Sequence, residues 1–116
     1  MGEQSDSISV ITEYLKIEFG MDEDDISEIF DIFFQESQLT IKNLETNISQ
    51  ENFKQIISDA HGIKGSAANI NALNISQIAK SIEEAAKNND ISVCNENFQP
   101  LKLAFSTLQD EYKSQN

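Results

Sequence analysis

The chain has 116 residues, and 20 acidic side chains against 8 lysines and no arginine leave a formal net charge of −12. Nucleic-acid binding depends on Lys and Arg displacing counterions from phosphates, so this balance argues against DNA, RNA and anionic membranes as main ligands. The length fits one domain able to bury a core without metal or disulfide, and the lone Cys94 can form no intrachain bridge, which suits a reducing compartment.

Met1 to Ser9 is polar and acidic, unlike a signal peptide, and no apolar run approaches the ~20 residues needed to span a bilayer. A cytoplasmic chain with no membrane insertion is therefore expected. Apolar residues recur at three- and four-residue steps throughout, which predicts helices only. Ile8, Ile11, Leu15 and Phe19 mark a short first helix, with Ser7 as N-cap and Gly20 ending it.

A long second helix starts at Asp22, where the acidic run Asp22 to Asp25 suits a positive helix N-terminus. Its stripe of Ile26, Ile29, Phe30, Phe33, Ile41, Leu44 and Ile48 has small gaps at Ser37 and Thr40. The third helix is expected from about Gln50 to Ile70, with Phe53, Ile56, Ile57, Ala60, Ile63, Ala67 and Ile70 on one face and Ser58, His61 and Gly65 off it. After a turn at Asn69 to Asn71, a fourth helix carries Ile75, Ile78, Ala79, Ile82, Ala85 and Ala86 and stops near Asn88 to Asp90. The last carries Phe98, Leu101, Phe105, Leu108 and Tyr112. Pro100 must lie in its first turn or kink it, and a start near Asn95 to Asn97, which puts it in the first turn, is expected. Cys94 is expected to be a partly buried thiol.

These elements predict an all-α fold: an antiparallel up-down four-helix bundle with an additional short N-terminal helix. No linker divides the sequence, so residues 1–116 form one domain, with the bundle core at about 22–114.

The only histidine, His61, stands mid-helix with Gly62 and Gly65 beside it. Each interior glycine costs ~1 kcal/mol of helix stability relative to alanine, so two on the non-core side suit the close approach of another molecule. Lys64 at i+3 brings an ammonium one turn from the imidazole, and Gly65 at i+4 leaves a flat patch, an arrangement suited to an anion.

The run His61-Gly62-Ile63-Lys64-Gly65-Ser66-Ala67-Ala68-Asn69-Ile70-Asn71 resembles the signature of histidine-containing phosphotransfer (HPt) domains. Ile82-Glu83 stands at a second family pair, and Ile29 to Ser37 resembles the family's long second helix. The likeness covers about residues 20 to 110. Asn71 departs from the family's usual glycine, a mild change because asparagine tolerates the left-handed backbone such a helix end needs.

The resemblance implies a phosphorelay protein whose His61 accepts a phosphoryl group through Nε2 from an aspartyl phosphate on a receiver domain and passes it to another receiver. It implies that Lys64 holds phosphoryl oxygens, that Gly65 lets the receiver's loops approach, and that Glu83 flanks the histidine and could orient Lys64 or the ring. It also implies receiver domains of response regulators or hybrid sensor kinases as partners, which bring the divalent metal. The chain is expected to have no cofactor of its own and to work as a monomer. Because the net charge would repel an acidic receiver, docking is expected to rest on apolar contacts near His61, for example from Phe34 and Ala68, with Glu83 and Gly65 beside them.

No G-x-x-x-x-G-K-[ST] or G-x-G-x-x-G is present, so neither ATP binding nor autokinase activity is expected, and the chain reads as a carrier rather than an enzyme. One His and one Cys more than thirty residues apart show no metal-ligand spacing, and nothing resembles a nucleophile elbow. The competing reading is a phosphorylation-independent helical adaptor that docks a receiver or another protein.

Overall fold

The computed structural model describes residues 5–115. Residues 1–4 and 116, which belong to the expected unit and in part to the polar N-terminal stretch, lie outside the described residues. Five helices follow one another: α1 (Ile8–Phe19), α2 (Glu23–Ser49), α3 (Phe53–Asn69), α4 (Leu73–Lys87) and α5 (Ile91–Ser114). Helices α2 to α5 close a bundle in which α3 packs on α2 and α4, and α5 on α4 and α2, while α1 lies against α5. The α3/α4 face, which carries His61, is thus opposite the α2/α5 face.

Two helix starts form as their residues predict. Ser7 accepts a hydrogen bond from the Val10 N–H, and Asp22 and Asp25 form a reciprocal capping box. All four junctions turn through one left-handed residue, Gly20, Glu51, Asn71 or Asn89, with φ between 53° and 65°. Behind the last three, paired backbone bonds close the helix end: Ala72 N–H to Ala67 O and Asn71 N–H to Ala68 O at the α3 end, with equivalents at Asn52 and Asp90. Asn71 thus adopts the expected conformation.

Helix α4 lacks a local side-chain cap, since Ala72 precedes it. Its cap comes from far away in the chain: the Asp6 carboxylate accepts from the Asn74 and Ile75 N–H groups at 2.9 and 2.8 Å. The Ile8 N–H in turn donates to Glu111, so the N-terminal segment is tied to both α4 and α5.

Three expectations are corrected. Helix α3 begins at Phe53 because Glu51, in the left-handed region, separates it from α2. Helix α5 begins at Ile91, capped by Asp90, so Pro100 lies well inside it rather than in its first turn. Pro100 and Glu96, whose carbonyl loses the proline's missing N–H, are both exposed, so water can replace that bond. Cys94 is fully buried, and burial, with Asp90 nearby, raises its pKa.

Candidate functional site

Helix α3 buries Ile56, Ala60, Ile63 and Ala67 and turns its other side to solvent. His61, Gly65 and Ala68, spaced by four and three residues, form an exposed stripe there, with Gly62 and Asn69 also exposed. A Cβ added at Gly62 or Gly65 meets nothing within 4 Å, so neither glycine is required by the chain's own packing. The open surface they leave faces outward, as the cost of two interior glycines suggested.

Across the groove, Glu83 projects from α4 between positions that belong to the core. It lies on the same face as Ala79, Ile82 and Ala86 and is itself only 3% exposed. Its carboxylate draws three side chains together: Lys64 Nζ lies 2.7 Å from Oε1, His61 Nδ1 3.0 Å from Oε2, and Lys87 Nζ 3.4 Å from Oε2. Among the described residues these are the only ion pairs, so every one of them converges on this carboxylate. Ser76 adds a bond to the Lys64 carbonyl that joins α3 to α4 behind the site.

The electrostatics decide the ring's tautomer. Burial pushes the Glu83 carboxyl upward, but the hydrogen bonds from Lys64 and His61, the Lys64 charge and the Lys87 bond together outweigh it and hold the pKa at about 2. Glu83 is therefore ionised at neutral pH and can only accept, so Nδ1 of His61 carries the hydrogen. In the neutral ring the lone pair is then on Nε2. The imidazole is 67% exposed while the group that orients it is buried, an arrangement in which a fixed nucleophile faces solvent.

His61, Lys64 and Glu83 meet at one point, with Gly65 and Ala68 along the same exposed stripe. Two docking assignments need correction. Glu83 is buried and fully engaged, so it orients the ring and Lys64 instead of touching a partner. Phe34 is buried on the α2/α5 side in an aromatic cluster with Phe30, Phe33, Phe105 and Tyr112, away from the α3/α4 face, and offers no docking surface beside His61. Lys87 is a site residue that the motif does not include, and its only trace in the sequence is the i+4 spacing from Glu83.

Within the described residues no cluster of three or more His, Cys, Asp or Glu side chains could hold a metal ion. No helix there is long and apolar enough to cross a membrane.

Residues 28–111 match the Hpt domain family. A search of curated proteins finds no significant relative. Among solved structures the chain is similar to histidine-containing phosphotransfer protein B from Pseudomonas aeruginosa PAO1, at 18% identity and a TM-score of 0.80, covering 92% of this chain and 90% of that one.

Proposed function

The chain belongs to the Hpt domain family, and from that premise we propose that it carries phosphoryl groups between receiver domains on Nε2 of His61. The observation that supports this reading best is the exposed imidazole held through Nδ1 by a buried, ionised carboxylate. In the forward step the Nε2 lone pair attacks the phosphorus of a receiver's aspartyl phosphate in line. The Nε2–P bond forms, the P–O bond to the aspartate breaks, and the carboxylate leaves on the receiver.

The ring becomes a phosphorylated imidazolium whose Nδ1 proton stays where it was, bonded to Glu83. The buried negative charge stabilises this cation, and it ensures that in the reverse step neutral imidazole leaves rather than imidazolate. Lys64, one turn along, moves its ammonium from Glu83 to the phosphoryl oxygens. The divalent metal and the acidic pocket are the receiver's contribution, and the chain itself is a monomeric cytoplasmic carrier without ATP chemistry. Docking covers the open stripe around Gly65 and Ala68, where a like-charged receiver can come close without meeting side chains.

The test is incubation with a phosphorylated receiver domain. An acid-labile, base-stable label is expected on the wild-type chain and none on His61→Gln, with the melting temperature nearly unchanged because the ring is exposed. A chain that binds the receiver but takes no label is the helical adaptor instead.

A further inference from the structure

Glu83 has one more cation than its charge requires. Lys64 at 2.7 Å already neutralises the carboxylate, yet Lys87, one turn along α4, adds a second ammonium at 3.4 Å. In a chain with only 8 lysines among 20 acidic residues, two of them meet at one buried carboxylate. No ion pair reaches Glu83 from α2 or α5 among the described residues, so its charged and titratable partners are His61 and Lys64 from α3 and Lys87 from its own helix.

We propose that Lys87 is a second counter-ion that keeps Glu83 charged and bonded to His61 Nδ1 when the Lys64 ammonium is drawn to the phosphoryl group. The inference deepens the phosphocarrier reading and rests on it for the state in which Lys64 leaves. A buried carboxylate stripped of counter-ions takes up a proton, and a protonated carboxyl holds the Nδ1–H less well. Lys87 lies on the Oε2 side, where it shares an oxygen with the ring and leaves the Oε1 side to Lys64. It touches neither phosphate nor partner in this role and is a positioning residue.

The decisive comparison is Lys64→Met against Lys64→Met/Lys87→Gln in the full chain, following the Glu83 carboxyl carbon and the His61 ring nitrogens by NMR across pH. In the single variant Glu83 is expected to titrate below the ordinary carboxylate range and His61 to keep its hydrogen on Nδ1. In the double variant the midpoint is expected to rise by at least one pH unit and the tautomers to mix, with Lys64→Met/Lys87→Arg restoring both. A second measurement uses chains phosphorylated with phosphoramidate, where Lys87→Gln alone is expected to raise the midpoint relative to wild type. An unchanged midpoint in either comparison overturns the role of Lys87. Failure of phosphoramidate to label His61 counts against the carrier reading, while the Lys64→Met pair still decides whether Lys87 is a counter-ion.

Discussion

His61 and Glu83 meet at 3.0 Å, yet the imidazole is 67% exposed and the carboxylate side chain 4%. That asymmetry places the ring and its free nitrogen in solvent and the group that sets its proton in the interior. A carboxylate this buried keeps its acceptor geometry when something approaches the ring from outside, because little solvent competes for its oxygens.

Glu83 should govern the acid end of the stability curve. Its folded pKa of about 2 lies below the ordinary 4.5, so ionisation stabilises the folded chain by on the order of 3 kcal/mol at neutral pH. The sign follows: the contribution is complete above 4.5 and disappears as pH falls through 2. Glu83→Gln is expected to be less stable than wild type by about 2–3 kcal/mol at pH 7, with the gap closing as pH falls through 2. Urea unfolding of both proteins at several pH values checks this, and stability curves that stay parallel down to pH 2 rule it out. Comparing the pair removes the general effect of titrating the other carboxylates.

If receivers dock on the stripe as proposed, Gly65 is where stability and docking separate. A side chain there meets nothing within 4 Å, and replacing a helical glycine strengthens the helix by ~0.5–1 kcal/mol. Gly65→Gln is therefore expected to raise the thermal midpoint while slowing transfer from a phosphorylated receiver several-fold. A variant that is more stable and transfers at the wild-type rate would remove the steric reason for this glycine.

Local chemistry made most of this fold legible. Ser7, Asp22, Gly20 and Asn71 act within a few residues of themselves, so spacing identifies them. The grouping of His61, Lys64 and Gly65 on one helix was equally local. What escaped depended on contacts distant in sequence or on choices periodicity leaves open. Phe33 and Phe34 are neighbours, and a helical stripe alone does not reveal that both rings are buried. Glu83 did leave a trace, an acidic side chain inside the Ala79, Ile82, Ala86 face, but its burial depends on three partners, two of them from α3. Asp6 and α4 are joined across 68 positions with no spacing to announce it.

That distant cap has a measurable worth. Ala72 supplies no side-chain acceptor for the first turn of α4, and Asp6 satisfies two of its free N–H groups. Asp6→Ala is expected to cost about 1–2 kcal/mol, and Asp6→Asn a good part of that, because the amide keeps one of the two accepting oxygens and turns a donor toward the second N–H. Amide exchange at Asn74 and Ile75 should accelerate in the alanine variant. Unaltered exchange at both amides would show that the cap is not closed in solution.

Pro100 gives the opposite expectation, a stabilising change in the middle of a helix. Helix α5 runs unbroken from Ile91 to Ser114 although the proline cannot donate to the Glu96 carbonyl and its ring crowds that group. Buried Cys94 and Phe98 on one side and Leu101 and Phe105 on the other hold the two halves against the bundle, so tertiary packing overrides the local preference. Pro100→Ala restores the missing bond at an exposed site, while the looser unfolded chain takes back ~0.4–1 kcal/mol. The net expectation is a gain of about 1–2 kcal/mol, read as a higher urea midpoint at unchanged slope. A lower midpoint would mean that a bend at Pro100 is what seats Leu101 and Phe105, and that the helix is shaped by the proline instead of merely tolerating it.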